Sequence, residues 1–491
     1  MTITFSEVPA ALRYPGVYIE IDGSQAGLGG DLPVVLLVGQ KLPTGDAPAG
    51  EVVRVVSVED AKTKAGAGSM LAQMAAAYRN ADQTFDLFML PYADNAAGVA
   101  ATGTITVTTP AAAAGTLALY IAGKPISIGI PANAEVGAIA SAIAAAITAA
   151  GDDIPVTATA AEGVVTLRAR HAGTCGNGID LRLGLYGEAL PDGLVVNIVA
   201  MSGGTGDPLP GDLPSLIGER WFRYVALGLN DAATLAAWHA ESRRRYAVPV
   251  QAGFRVFTAI RATYEAAAAF GETKNYEHIS CAWLALNPPT PWEAAAAITG
   301  SAAPRLYNNP VISLEGAPVP GLAADVSYND FTLGNSLLFH GVSVLEVGTD
   351  GAVYIKRLIS MYQFRSDGSA DDAWLDINIA ETMERIRAEQ RLGAIKRFRG
   401  TVAAKTNEGF RPGLPITTED SVRAFLLSLY QNVLMREYGW VQAYGYYKST
   451  LIVEQDSTNP SRFNFRDDPV VNSPFYILAG RARFRKAVPT T

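Results

Sequence analysis

Histidine side chains are the first candidates for chemistry in this chain. The four histidines are His171, His239, His278 and His340. None of them belongs to a His-Glu-x-x-His motif or stands at a metal-like spacing from another ligand residue. We place His171 in a loop beside Gly173, and His239 at the arginine-rich end of a helix. The pattern favours polar or surface roles and predicts no metal site and no cofactor.

Nucleophilic and phosphate-binding motifs give little further support for catalysis. Cys175 lies in the glycine-rich stretch 173–178, which is typical of a tight turn. A Ser-His-Asp site is defined by geometry, and its usual local mark, Gly-x-Ser-x-Gly, is absent. The phosphate-loop pattern is absent as well, because Gly123-Lys124 lacks the upstream glycine and is followed by Pro125. We therefore predict that the protein is not an enzyme, with a hydrolase as the alternative.

Basic side chains form the clearest cluster, on a helix predicted for residues 379–399. The helix has an interrupted apolar stripe of Met383, Ile386, Leu392, Ile395 and Phe398. Its other faces carry Arg385, Arg387, Arg391, Lys396, Arg397 and Arg399. Two interpretations stay open: a surface for an acidic partner, or a solvated face with pairs such as Glu381–Arg385.

Composition and charge limit the class of protein. The chain has 491 residues and a net charge of −8, which argues against a general nucleic-acid binder. Residues 1–375 carry 22 Lys and Arg against 35 Asp and Glu, whereas residues 376–491 carry 17 against 12. This asymmetry indicates that the two parts face different partners. We expect no disulfide framework, no secretory signal and no membrane insertion, since the apolar run 138–150 is short and alanine-rich.

Strand and helix patterns alternate over much of the chain. Buried strands are predicted at 33–39, 85–90, 223–229, 248–257 and 280–286, and helices at 69–79, 231–245 and 292–299. Such alternation is typical of a layered α/β fold with a mainly parallel sheet.

An inserted α+β segment is predicted at 95–207, where the composition becomes rich in Ala, Gly and Thr. Its short strands are expected at 104–108, 116–121, 164–168, 179–185 and 195–200. Its helix is expected to be capped by Asn133 and to carry a stripe of Val136, Ile139, Ile143 and Ile147. Beyond residue 375 the pattern predicts helices at 379–399 and 419–437, the latter after a capping-type start at Thr417-Thr418, and then a strand pair of 440–447 with 450–454.

Both ends of the chain are predicted to be strands without a nearby partner. The residues concerned are Val17, Tyr18, Ile19, Ile21, Phe475, Tyr476, Ile477, Leu478 and Phe484. An unpaired strand exposes a row of N–H and C=O groups, so it requires a sheet edge elsewhere. That edge belongs either to the same molecule or to a neighbouring copy.

Several motifs, in order along the chain, resemble contractile tail sheath proteins of the Mu-like bacteriophage branch. The Pro-Gly-Val-Tyr start and the segment before it, a Gly-x-x-Gly-Asn turn and the C-terminal end carry this resemblance. They occupy residues 3–9, 12–13, 14–20, 171–182, 464–468 and 475–484. The resemblance extends over nearly the whole chain.

The resemblance implies a structural subunit of a contractile sheath. Six subunits would form a ring, and rings would stack helically around an inner tube, which contraction drives through the host cell envelope. Partners would be the tube protein and the baseplate and tail terminator proteins, in a virion tail assembled in the host cytoplasm. A sheath of a bacterial contractile injection device, another self-assembling phage structural protein such as a tube or baseplate component, and a subtilisin-like hydrolase are the alternatives.

The resemblance also implies a division of the chain and roles for its segments. The core would be subtilisin-like in topology, the terminal strands would join sheets of neighbouring copies, and Arg385, Arg387, Arg391, Lys396, Arg397 and Arg399 would include the tube-facing contacts. The segments would be an N-terminal arm at 1–30, an α/β core at 31–94 and 208–375, an inserted outer domain at 95–207, a C-terminal tube-proximal domain at 376–470 and a C-terminal strand arm at 471–491.

Overall fold

The computed structural model of the chain describes residues 33–248, 250–325, 329–411, 413–484 and 486. The predicted arm strand with Val17, Tyr18, Ile19 and Ile21 lies outside these residues. The strands, in chain order, are β1 Val34–Gln40, β2 Val53–Val55, β3 Asp86–Tyr92, β4 Ala100–Thr109, β5 Gly115–Ile121, β6 Lys124–Ile130, β7 Val156–Ala161, β8 Val164–Ala172, β9 Leu181–Leu183, β10 Val195–Ser202, β11 Phe222–Leu227, β12 Arg255–Ile260, β13 Ile279–Trp283, β14 Ser343–Val347, β15 Val353–Arg357, β16 Val402–Ala403, β17 Ile416–Thr417, β18 Val441–Gln442, β19 Ile452–Gln455, β20 Phe463–Arg466 and β21 Val470–Val471.

Helices alternate with many of these strands. They are α1 Val58–Ala65, α2 Met70–Ala81, α3 Val136–Ala150, α4 Leu213–Ile217, α5 Ala232–Tyr246, α6 Tyr264–Glu272, α7 Pro291–Asn308, α8 Phe331–Leu338, α9 Ile377–Phe398, α10 Glu419–Ser428 and α11 Tyr444–Thr450. A π-helical stretch, Leu429–Glu437, continues α10.

An eight-stranded sheet forms the centre of the molecule, in the order β15-β14-β13-β12-β11-β1-β3-β2. Its inner neighbours pair in parallel, and the two outermost strands pair antiparallel. β1 is buried along almost its whole length, as its continuous apolar run predicts, and α2 packs against it. The mixed α/β architecture agrees with the layered sheet predicted from the alternating pattern.

Helix starts around this sheet follow from local capping. Ser69 accepts a hydrogen bond from the Ala72 N–H at the start of α2, and Asp231 accepts one from the Thr234 N–H at the start of α5. The long helix α7 is alanine-rich and packs closely on α2. Gly300 makes this approach feasible, because a Cβ there would lie 2.9 Å from the Tyr78 carbonyl oxygen.

The segment between β3 and β11 forms two small antiparallel sheets around α3. Their orders are β10-β4-β8-β7 and β6-β5-β9. The helical stretch 136–153 is long and apolar enough by composition to cross a membrane. In this structure, however, α3 buries Ile139, Ile143 and Ile147 against the two small sheets. The largest hydrophobic cluster extends through both the central sheet and this segment.

Two predicted features of the core and the insertion were wrong. Asn133 does not cap α3: it has a left-handed φ of 55°, and the helix begins only at Val136, with Glu135 at the cap position. The strand predicted from residue 248 begins at Arg255, because Gln251 has a positive φ of 51°, which a strand does not accommodate.

The C-terminal region has its own hydrophobic cluster, built from α9, α10, the π-helical stretch and α11. Thr418 caps α10 and exchanges hydrogen bonds with Ser421, as its position predicted. The predicted strand pair 440–447 with 450–454 was wrong. Most of 440–450 is helix α11, in which Tyr447 stacks on Tyr430 at 3.7 Å, while β19 pairs with β20 and β18 with β21.

Candidate assembly surface of the C-terminal region

The first half of α9 is fixed to the central sheet by a buried ion cluster. Glu381 and Glu384 are almost completely buried on this helix. The Glu381 carboxylate accepts a hydrogen bond from the Tyr224 hydroxyl at 3.2 Å and lies 3.8 Å from Nε of both Arg223 and Arg255. These three partners come from β11 and β12, so the cluster binds the helix directly to two neighbouring strands.

Charge compensation keeps the Glu381 carboxylate ionised. Burial raises the pKa of Glu381, but the attraction of Arg223, Arg385 and Arg255 and the Tyr224 hydrogen bond outweigh it and leave the pKa below its ordinary value. The helix is therefore held by charged groups that are largely removed from water.

Glu384 extends the same cluster by one helical turn. It pairs with Arg255 at 3.4 Å and with Arg387 at 3.1 Å. A Cβ on Gly253 would lie only 2.2 Å from Glu384 Oε1. The backbone at residue 253 can therefore pass this close to the carboxylate only because glycine has no side chain. His278 Nδ1 accepts a hydrogen bond from Arg255 Nη1 at 2.7 Å, and burial together with Arg255 lowers the pKa of His278 well below 6.5.

Two of the predicted tube-facing residues are used inside the chain. Arg385 donates a hydrogen bond to the Leu306 carbonyl at 3.1 Å, and its guanidinium lies over the Tyr307 ring. Arg387 donates one to the Tyr246 carbonyl and covers the Tyr246 ring at 4.4 Å. Both side chains are half-buried.

The second half of α9 has a different character. Arg391, Lys396, Arg397 and Arg399 are exposed, and none of the four forms an ion pair with any residue that the structure describes. Leu392, which was assigned to the apolar stripe, is 58 % exposed, and Ile395 next to the cations is exposed as well. This end of the helix thus presents a basic and partly apolar surface.

The C-terminal segment, residues 472–484, forms no strand in the described part of the chain, so the strand predicted at 475–478 has no partner within this subunit. Tyr476 anchors it: its hydroxyl lies 3.4 Å from Asn378 Oδ1, and the Arg357 guanidinium covers its ring at 4.6 Å. Burial raises the pKa of Tyr476 to about 12. Around this anchor, Phe475, Ile477, Leu478 and Phe484 are exposed.

The contacts of His171 indicate a structural role. It lies in β8 rather than in the predicted loop, buried between the inserted segment and α2. Its Nε2 accepts a hydrogen bond from the Met70 N–H at 3.0 Å, and its Nδ1 lies 2.8 Å from Asp94 Oδ1. Since both ring nitrogens are occupied, this Asp-His pair has no free nitrogen to act as a general base.

The remaining candidates for chemistry are also held in local contacts. The Cys175 thiol lies 3.2 Å from Gln40 Oε1, and burial raises its pKa to about 12, which keeps it protonated. His239 stacks on Tyr276, and His340 lies 3.1 Å from Glu272. Within the described ranges, no group of three or more His, Cys, Asp or Glu residues could hold a metal ion.

The buried ion cluster was missed by the sequence analysis. The one available signal was the pair Glu381 and Glu384, which stand three residues apart on a helix and therefore share a face. Because Arg255 and His278 lie more than a hundred residues away, nothing local connects them with these carboxylates.

Comparison with known proteins relates the whole chain to one class. No protein-family model matches the chain. The Mu-like prophage FluMu tail sheath protein of Haemophilus influenzae is 32% identical over 488 residues, covering 99% of this chain and 100% of that protein.

Among solved structures, a sheath tail protein from Listeria innocua is similar over 90% of this chain and 93% of its own, with 13% identity and a TM-score of 0.48. The helical sheath of the anti-feeding prophage in its contracted state is similar over 97% of this chain and 100% of its own, with 12% identity and a TM-score of 0.47. The sequence relationship with the FluMu protein spans both chains from end to end, and on that ground this protein belongs to the family of Mu-like tail sheath proteins.

Proposed function

We propose that this protein polymerises around an inner tube and that contraction of the polymer drives the tube through the host cell envelope. The full-length relationship with a tail sheath protein carries this proposal. Six copies would form each ring, and the tube, baseplate and tail terminator proteins would be its partners. The protein would act in the virion tail, after assembly in the host cytoplasm.

We further propose that the chain is divided as its sequence indicates. The arms would occupy 1–30 and 471–491, and a subtilisin-like core 31–94 and 208–375. The inserted outer domain would occupy 95–207 and the tube-proximal domain 376–470. The central-sheet strands at 34–92 and 222–357 and the separate C-terminal cluster support this division.

The terminal arms would link neighbouring copies by adding strands to their sheets. Support comes from the C-terminal segment, which exposes Ile477 and Leu478 and has no strand partner among the described residues. The hairpin β19–β20 is a two-stranded sheet whose isolation favours the addition of a further strand.

The exposed half of α9 would face the tube. Arg391, Lys396, Arg397 and Arg399 are the side chains available for this contact, because Arg385 and Arg387 are engaged within the chain. Exposed charges of this kind are screened by salt and can release their partner, as a moving sheath requires.

A non-enzymatic role fits the contacts of the histidines and cysteines. A hydrolase would need a histidine with a free ring nitrogen next to a nucleophile, and His171 has both nitrogens occupied. Labelling with a fluorophosphonate probe should leave the protein unmodified, with a serine protease as positive control. Stoichiometric labelling would instead support the hydrolase alternative.

Electron microscopy of the purified protein tests the main proposal. Negative staining should show striated rods or hollow cylinders, alone or on purified tubes. A preparation that contains only dispersed monomers at all protein concentrations would contradict the proposed function.

A further inference from the structure

An apolar groove lies at the far edge of the central sheet, between α8 and the β14–β15 hairpin. It encloses about 310 Å³ and is lined by Trp283, Leu338, Val344 and Leu345. Gly334 of α8 lies over Val344, and the absence of a side chain there keeps the groove open.

Two phenylalanines at the ends of α8 are exposed to solvent, and the first of them, Phe331, lines the groove. Phe331 is 87 % exposed and Phe339 is 77 % exposed. The opposite side of α8 is fixed: Leu337 is buried in a small cluster with α6, and the Tyr264 hydroxyl lies 2.8 Å from Ser336 Oγ. A rigid helix that presents two such rings marks a contact surface, because monomeric proteins rarely expose contiguous apolar patches.

Acidic side chains outnumber basic ones in the described lining of this groove and on the helix beside it. Asp330 and Glu346 line the groove, and Glu272 lies on the adjacent helix α6. Lys356 is the cation at the rim, and it is already bound to Glu346 at 3.1 Å and to Glu315 at 3.0 Å. The groove is therefore apolar with an excess of acidic side chains, so a basic and partly apolar partner fits it best.

The basic part of this same chain has that chemistry. Residues 376–491 carry 17 Lys and Arg against 12 Asp and Glu, in a chain whose net charge is −8. We propose that the α8 groove receives the basic C-terminal region, residues 376–491, of a second copy of this chain. This inference rests on the proposed function, since it needs a polymer in which each copy offers both surfaces.

A contact between two different surfaces repeats from copy to copy. Such a heterologous interface generates rings or helical filaments, unlike a contact of one surface with itself, which closes a dimer. The phenylalanines would supply apolar burial at the centre, and the surrounding carboxylates would set which side of the second copy is accepted.

Photo-crosslinking tests the inference in the full-length protein. Phe339→p-benzoylphenylalanine should give covalent dimers in polymerised samples, with the crosslink mapped by mass spectrometry to residues 376–491 of the second copy. Tyr186→p-benzoylphenylalanine, an exposed aromatic position in the inserted segment, is the matched control and should give no crosslink into that region. Three results in samples that contain rods would overturn the inference while leaving the proposed function intact. They are crosslinks to the tube protein, crosslinks within one chain, and the absence of any crosslink.

A second variant covers the case in which the probe itself disturbs the surface. Phe331→Glu with Phe339→Glu should reduce the amount of rods at least about tenfold, because it brings charge into an acidic and apolar interface. The thermal unfolding midpoint of the subunit should be unchanged, as both rings are exposed. Rod formation equal to that of the wild-type protein would overturn the inference, whereas absence of rods from the wild-type protein would instead refute the proposed function.

Discussion

At the scale of single residues, the buried charges around Glu381 carry the strongest structural consequence. A carboxylate removed from water is stable only when opposite charges and hydrogen bonds replace its hydration. Here Arg223, Arg255 and Arg385 provide the charge, and Tyr224 provides a hydrogen bond. The cluster therefore fixes the position of α9 on the sheet more strictly than apolar packing alone would.

Removal of this carboxylate should destabilise the subunit strongly. Glu381→Ala leaves buried arginines without a partner, and we expect a loss of about 3 to 5 kcal/mol in the free energy of unfolding. Urea unfolding of the unassembled subunit measures it. Glu437→Ala, at an exposed glutamate in the same region, is the control and should stay within about 0.5 kcal/mol of the wild-type protein. Equal midpoints for the two variants would contradict the importance of the cluster.

His278 should make the stability of the subunit depend on pH. Its pKa in the folded protein lies well below 6.5, so below pH 6.5 the unfolded chain binds more protons, and stability falls with falling pH. From about pH 7 to about pH 5.5 this group should remove about 1 kcal/mol from the free energy of unfolding.

The variant His278→Asn should show a smaller loss of stability over the same pH interval. If His278→Asn and the wild-type protein lose equal stability between these pH values, His278 is not the titrating group.

At the scale of elements, α9 is one helix with two environments. Its first half carries its charges inside the protein, and its second half carries them in solvent. The 3.6-residue period predicted the helix. Whether the charged side chains of each half are buried or exposed depends on the elements that pack against that half. Leu392 shows this, since it fitted the apolar stripe and is nevertheless exposed.

Charge reversal in the exposed half of α9 should weaken assembly on tubes. Replacement of Arg391, Lys396, Arg397 and Arg399 by Glu should reduce sheath on tubes at least about tenfold at low salt, because attraction becomes repulsion. Co-sedimentation with tubes measures the effect. Reversal of four exposed cations outside the C-terminal region, Arg54, Arg168, Arg220 and Arg365, changes the net charge equally and serves as control. Equal loss in both variants would show that net charge, rather than this surface, controls assembly.

At the scale of the whole molecule, we propose that the subunit contacts copies of itself through more than one surface. The acidic part contains the α8 groove, and the basic part contains a segment that Tyr476 anchors and whose following residues Ile477 and Leu478 are exposed. Opposite charge on separate surfaces favours contacts that repeat along an assembly.

Truncation separates folding from assembly. Removal of residues 1–22, or of residues 477–491, should leave a folded subunit that does not form ordered sheath. The truncation removes the strand that would pair with a sheet of a neighbouring copy, while the core is retained. Circular dichroism and thermal unfolding report the fold, and electron microscopy reports the polymer. Normal sheaths from either truncated protein would contradict the role of that arm.

Much of the architecture was predictable from local patterns. The apolar run at residues 33–39 indicated a strand buried on both faces, and Asp231 and Thr418 indicated helix starts because their side chains can accept hydrogen bonds from the first turn. The region around Tyr447 was not predictable, because its aromatic residues favour a strand locally and its stacking on Tyr430 selects a helix.

By itself, the sequence determined the alternating elements, the inserted segment, the charge difference between the two parts and the family resemblance. These are local or compositional properties, readable wherever they occur in the chain. Only the tertiary structure decided that Glu381 and Glu384 meet Arg255 and His278, that Arg385 and Arg387 are used internally, and that Phe331 flanks an open groove. The physical reason is distance along the chain: burial and charge pairing depend on which remote segments the fold brings together.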